Sequence, residues 1–326
     1  MAAKGQGGLR RALLELGRGP SLGADTALIE RPAMTLVTAL SGQADLYTAL
    51  RQLGCADPGL TLDQVMVALR AGDAVAQATA ARLASVDQGL LRAVMRPAPA
   101  SVQAIRDHLA AAAPAQLFRP DPAHSPTTAL LTQGQRPDMP AFSDRAFDAW
   151  FAAQGVPYGL GLYGENRTVY QTDQFADAAS PERRTMHLGI DVFAPAMTQV
   201  YAPLPGIARH VTYNADPLDY GNTLILEHDA EGVPFYTLYG HLAGTLPELV
   251  KVGDPVQPGQ LIAHLGDWHE NGGWAAHIHF QIMTDMLDQT GGNFFGVGHA
   301  GLWDVWSSIC IDPNLILRIA AEKFAL

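Results

Sequence analysis

The chain has 326 residues, 48% hydrophobic and 16% charged, which excludes a disordered polymer and gives room for roughly two domains at about 150 residues each. A formal net charge of −11 argues against nonspecific binding to nucleic acid or to an anionic membrane surface. No apolar run approaches the ~20 residues of a membrane span.

Cys55 and Cys310 are far apart, form no C-x-x-C, and read as two reduced, buried thiols. Near the N-terminus the apolar stretch Ala12-Leu13-Leu14 is stopped by Glu15 and Arg18, so it is no secretory signal. If the sequence is the full-length chain, a cytoplasmic location follows.

Charge and histidine are unevenly placed. Residues 1–135 carry 12 Lys/Arg and 10 Asp/Glu, whereas residues 136–326 carry 9 and 22. Nine of the 11 histidines fall between His187 and His299. The C-terminal half therefore has the composition of a metal site.

In chain order, residues 1–113 read as a helical bundle with no chemical motif. Arg11–Leu16 and Ala44–Leu53 are helical in period. Thr61 caps a helix from Leu62 that Gly72 stops. Asp73 caps a longer one reaching Leu91 or Met95, and Ser101 caps a third ending near Ala113. Abundant alanine and few β-branched residues agree with helix propensity. Residues 114–140 hold six prolines, which deny both helix and ladder hydrogen bonds, so an extended linker is expected, with His124 solvated within it.

Over residues 141–326 the period becomes two. Strands are expected at Asn222–Asp229, Pro234–Leu242, Gln260–Leu265 and Ala276–Met283, separated by Gly/Pro turns, which indicates antiparallel sheet. A closing helix is expected between Asp304 and Leu326, with Asp312-Pro313 at its start. The fold class is α+β: a helical N-terminal domain, then a mainly antiparallel β domain.

Three segments carry the chemistry. In His277-Ile-His-Phe-Gln-Ile282, alternation sends Ile278, Phe280 and Ile282 to the core and His277, His279 and Gln281 to the other face. In Phe235–His241 it places Thr237, Tyr239 and His241 on one face. His187-Leu-Gly-Ile-Asp191 sets a histidine and an aspartate four apart, ~13 Å on a straight strand at about 3.3 Å per residue. Gly189 permits the bend that would bring both to one ion. Catalytic zinc needs about three protein ligands and an open position. His187, Asp191 and one histidine of the H-x-H pair supply that count. The other histidine and His241 are left to handle protons or an oxyanion.

These segments, in this order, resemble the lysostaphin-type zinc metallopeptidases, many of which are peptidoglycan endopeptidases. H-x-x-x-D stands as His187–Asp191, the Tyr-x-His-Leu context as Tyr239-Gly-His241-Leu242, and H-x-H as His277-Ile-His279. Matching context includes Asp191-Val-Phe-Ala-Pro195, Gly221-Asn222 and Lys251-Val-Gly-Asp-Pro-Val256. The resemblance covers about residues 160–285. It implies a β-sandwich catalytic domain and one zinc per chain held by His187, Asp191 and His279. It also implies a catalytic pair, His277 and His241, and a peptide or peptidoglycan-like substrate. The stretch Pro181–His187 and the insertion Trp268–Trp274 are similar to the peptidase-like domain of large fusions with kinase-like and aminotransferase domains, a resemblance that bears against a peptidoglycan substrate but not against the metal site.

Further expectations are open alternatives. Arg183 and Arg184 either hold a substrate carboxylate or are solvated or ion-paired surface arginines. Trp268, His269 and Trp274 are candidates for a cleft rim. His228 is expected to be a hydrogen-bonded strand histidine, and His210, His264 and His299 ordinary ones. Asn222 serves either the cleft or a turn. Lys251 opens a turn similar to that of lipoyl carriers but sits at no hairpin tip. The helical region either covers the cleft or mediates dimerisation. Two other functions stand beside a zinc peptidase: a non-catalytic binding module on a peptidase fold, and a zinc hydrolase with a non-peptidoglycan cytoplasmic substrate. Oligomeric state is left open.

Overall fold

The computed structural model describes residues 35–132, 136–167 and 173–326; the helix expected at Arg11–Leu16 lies outside them. Residues 35–40 are helical, and five helices follow: α1 (Leu46–Ala56), α2 (Leu62–Ala71), α3 (Ala74–Ala84), α4 (Gln88–Val94) and α5 (Ala100–Ala111). Thr61 caps α2 as the sequence suggests, and the structure adds a reciprocal bond from Gln64 that completes a capping box.

The single long helix expected after Asp73 is two. The Asp87 carboxylate accepts the Leu90 N–H and starts α4 afresh, so a second cap residue won over a continuous apolar period. Helix α5 begins at Ala100 after Pro99 with no side-chain cap, rather than from Ser101.

The β domain is built on a nine-stranded sheet. Its order is β1 (Thr127–Ala129), β2 (Tyr158–Gly161), β4 (Ile190–Phe193), β11 (His277–Met283), β8 (Val233–Leu242), β7 (Gly221–Ala230), β6 (Gly206–Asn214) and β9 (Pro255–Val256), with β13 (Cys310–Ile311) also pairing β11. Among the described residues, β1 and β2 pair in parallel and the other ladders of this sheet are antiparallel. Two small sheets flank it: β3 (Met186–His187) with β12 (Val297–Gly298), and β5 (Gln199–Tyr201) with β10 (Leu261–His264).

The two faces of the sheet have different covers. Ile278, Phe280 and Ile282 pack with Tyr239, Leu224 and Leu226 in one core, together with Val200 and Ile262 of the small sheet and Ile105 and Leu109 of α5. On the other face Ile225, Leu238 and Met283 join Leu46, Leu50, Leu69, Leu83 and Leu91 of α1–α4 and Trp306 in a second core. Burying the opposite face of a sheet against helices removes that apolar area from water. Helices α1–α4 cover the Met283 end of β11, beside the face that carries His277 and His279.

The proline-rich stretch is not a solvated spacer. Leu117 and Phe118 are buried in the first core, and β1 lies within it. Proline removes donors but leaves an extended chain free to pack its apolar side chains. The closing helix is also broken: Trp303–Ile309 and Asn314–Leu317 are separate, and the second ends at Arg318 in left-handed backbone. Cys310 is buried as expected, whereas Cys55 is exposed near the end of α1. Among the described residues, no helix is long and apolar enough to cross a membrane.

Candidate metal centre

Register brings the three segments together. His279 of β11 lies opposite Asp191 of β4 on one side and Gly240 of β8 on the other. The chain breaks between β3 and β4, so His187 folds back toward Asp191. The ligand atoms of His187, Asp191 and His279 all lie within 4.8 Å of one another. His187 Nε2 is 3.0 Å from His279 Nδ1 and 3.2 Å from Asp191 Oδ1, and His279 Nδ1 is 3.1 Å from that same oxygen.

The bend expected at Gly189 is present, and space is a second reason for glycine there. Its φ is not left-handed, but a Cβ there would lie 2.6 Å from the Nε2 of His279 and 2.8 Å from the carbonyl oxygen of Phe280. The missing side chain is the space that the His279 ring occupies.

The hydrogen bonds around the cluster decide what it can hold. The Gln281 amide nitrogen donates to the Phe295 carbonyl (3.1 Å) and faces Cys310 Sγ (3.2 Å), which assigns its oxygen as the acceptor toward His279 Nε2 (2.8 Å). His279 therefore carries its proton on Nε2. His187 Nδ1 donates to the Leu162 carbonyl at 2.6 Å, so its Nε2 is bare. Asp191 Oδ2 is taken by Arg167 at 2.7 Å. What remains is two imidazole lone pairs and one carboxylate oxygen converging with no donor among them. Such a group is stabilised by a cation, and its N/N/O set with backbone- and amide-anchored imidazoles suits zinc.

His241 and His277 lie beside this group, their rings 4.3 Å apart. Each spends its Nδ1–H on a carbonyl, Asn271 at 2.8 Å and Ala275 at 2.7 Å, which leaves both Nε2 atoms bare. Burial pushes the His187 and His277 imidazoles down to about 4, and burial with the neighbouring His277 and His279 holds His241 well below its ordinary value. Burial alone would raise Asp191; the adjacent His187 and Arg167 outweigh it and hold the carboxyl well below the usual carboxylate range.

His241 reaches the cleft against the strand pattern. Tyr239 lies opposite Phe280 and packs in the core, and Thr237 bonds Tyr239 and His228 behind it. Alternation would send His241 to that same side. Its φ of +63° instead places it in the left-handed region, which turns the imidazole to the cleft. The expectation that Thr237, Tyr239 and His241 share a face is corrected on this ground.

All five residues line one cavity of about 250 Å³, walled also by Tyr220, Trp274, Phe294 and Arg184. No residue of α1–α5 lines it. Arg184 packs over the Phe295 ring, whereas Arg183 pairs with Asp173 at the surface. Trp274 is a wall of the cleft, but Trp268 is buried against Asp148 and His269 is exposed beside Asp267. Asn222 holds the Glu270 carbonyl and so serves the loop. His228 is hydrogen-bonded within the sheet as expected. His299 is fully buried, beside Asp177 and Tyr47.

Sequence reasoning missed Arg167, Glu165 and Tyr220. None stands in a recognisable spacing. Tyr220 packs under two glycines, because a Cβ at Gly240 or Gly296 would come within 2.5 Å of its ring or hydroxyl, and it meets the rings of His241 and His279 at 5.5 and 5.2 Å.

Residues 185–290 match the model of peptidase family M23. No curated protein matches. Among solved structures, a zinc-containing peptidase from Vibrio cholerae is 27% identical over 37% of this chain and 31% of its own, with a TM-score of 0.28. The catalytic domain of lysostaphin from Staphylococcus simulans is 27% identical over 37% of this chain and 80% of its own, with a TM-score of 0.26. A putative M23 peptidase from Pseudomonas aeruginosa is 20% identical over 41% of this chain and 44% of its own, with a TM-score of 0.27. The match thus spans about a third of the Vibrio protein. The His187, Asp191 and His279 cluster lies inside the segment, residues 185–290, that matches peptidase family M23.

Proposed function

We propose that this chain is a zinc-dependent hydrolase of peptide or amide bonds, with His187, Asp191 and His279 as the ligands of one zinc ion. The observation that carries the reading is the convergence of three bare acceptor atoms, each with its other polar atom committed elsewhere. Zinc, when bound, supplies a Lewis acid that polarises a carbonyl and acidifies water.

The chain's own residues supply the rest. His277 is neutral near pH 7 and presents a bare Nε2, so it is equipped to accept a proton from the attacking water and return it to the leaving amine. His241 shares that state. With its Nδ1–H spent on Asn271, its bare Nε2 is an acceptor, suited to orienting the attacking water beside His277. The aromatic walls Trp274 and Phe294 limit water around the reacting bond.

The family's resemblance to peptidoglycan endopeptidases supports short peptides containing Gly or D-amino acids as substrates. The retention of five chemically competent side chains in one cleft favours an enzyme over a binding module. The test is metal content by plasma mass spectrometry on wild type and His279→Ala, with hydrolysis followed on pentaglycine, cross-linked muropeptides and a cytoplasmic peptide pool. Near-stoichiometric zinc that falls in the variant, with cleavage of one substrate class, supports the reading. A metal-free wild type with full hydrolytic activity would overturn it.

A further inference from the structure

One segment, residues 161–167 between β2 and β3, supplies the outer partners of two of the three ligand residues. It is tied to the backbone around the first ligand. Gly164 N–H donates to the His187 carbonyl (2.8 Å), His187 N–H to the Glu165 carbonyl (2.9 Å), and Arg167 N–H to the Thr185 carbonyl (2.8 Å). Its Leu162 carbonyl accepts from the His187 ring. Its last described side chain, Arg167, is 1% exposed and sends Nη1 to Asp191 Oδ2 at 2.7 Å and Nε to Glu165 Oε2 at 2.9 Å. Glu165 is anchored in turn, its other oxygen accepting from the Thr132 N–H (2.7 Å) and hydroxyl (2.9 Å).

The socket is shaped for a guanidinium. A Cβ on Gly161 would lie 2.6 Å from Arg167 Nη2 and 3.1 Å from Asp191 Cβ. A planar fork can engage two carboxylates at fixed angles, which an ammonium cannot do. Burying a cation next to a cation site is unfavourable by itself, so this arginine needs a compensating role, and Glu165 and Asp191 define it.

We propose that Arg167 is a positioning residue of the metal centre. By holding one oxygen of Asp191 outward, it leaves the other facing His187 and His279. Glu165 and Thr132 keep the guanidinium from swinging away. This rests on the assignment of His187, Asp191 and His279 as zinc ligands made above.

The test is the zinc dissociation constant of the full chain, by competition with a chromophoric chelator, together with the visible spectrum of the cobalt-loaded protein. Arg167→Lys keeps the charge and loses the fork. The expected result is 10- to 100-fold weaker zinc binding, the range found when outer partners of ligands are removed. An altered cobalt spectrum should accompany it, while the melting temperature of the metal-free protein stays near that of wild type. Thr132→Val and Glu165→Gln should shift affinity in the same direction. A folded Arg167→Lys protein with zinc affinity within threefold of wild type and an unchanged cobalt spectrum overturns the proposal. Should Arg167→Lys fail to fold, unchanged affinity in both other variants overturns it equally. A wild type that takes up no zinc sinks the ligand assignment itself, and is seen before any substitution is compared.

Discussion

His187 Nε2 and His279 Nδ1 face each other at 3.0 Å, and each ring's other nitrogen is committed to an oxygen acceptor. Two lone pairs at that separation repel, and Asp191 Oδ1 adds a third acceptor. Zinc should therefore stabilise the fold. At 100 times its dissociation constant a ligand adds about 2.7 kcal/mol. Zinc should raise the melting temperature of wild type, EDTA should reverse the rise, and Asp191→Ala should show no response. A zinc-induced rise in Asp191→Ala equal to that of wild type would contradict the ligand assignment.

His241 and His277 touch each other but are not part of the three-ligand group. His277→Ala and His241→Ala should keep zinc content near wild type while kcat falls by roughly 10²- to 10⁴-fold, the usual worth of a general acid–base group. The comparison is metal analysis beside single-turnover hydrolysis. Loss of zinc in either variant would reassign that histidine as a ligand.

Gly189 should tolerate no side chain. In Gly189→Ala the added Cβ must move the His279 ring or the Phe280 carbonyl. Overpacking of this kind costs about 1–3 kcal/mol, so chemical denaturation should show that loss along with weakened zinc binding. Native stability and native zinc affinity together would mean that the strand shifts without disturbing the site.

Burial holds His187, His277 and His228 near 4, whereas each titrates near 6.5 when unfolded. Between those values the unfolded chain binds more protons, so it gains stability as pH falls. The metal-free protein should be most stable above about pH 6.5 and lose stability progressively toward pH 4, by up to about 1.4 kcal/mol per pH unit for each group. Urea denaturation at pH 7.5 and pH 5 measures this. His228→Gln should reduce the slope without altering zinc binding, because His228 lies in the sheet away from the cleft.

Helices α1–α4 share a core with Ile225, Leu238, Met283 and Phe294 of the β domain. Tyr47 donates to Asp177 at 2.7 Å, Arg92 pairs with Asp288, and Gln289, which lines the cleft, donates to Asp87. The helices thus buttress a wall of the cleft without entering it. Removing residues 1–113 should destabilise the remaining domain and lower activity, the reverse of releasing a latent enzyme. Higher activity with an undiminished melting temperature would restore the cover model.

Much of the site was legible because its pattern is local. H-x-H on one strand needs only the two-residue period to bring both imidazoles to one face, and His187 and Asp191 stand close in the chain. The helical and antiparallel halves were legible for the same reason, since caps and alternation act over a few residues. His241 was found by its neighbours in sequence, but its face was misjudged, because one left-handed residue cancels the strand period. Arg167, Glu165 and Tyr220 had no local mark at all. Their places follow from which strands pair and which glycines leave room. The sequence by itself determined which side-chain types meet in the cleft. Only the tertiary structure decided the protonated nitrogen of each ring, the partner of the second Asp191 oxygen and the packing of the helices, since each depends on atoms brought close from distant parts of the chain.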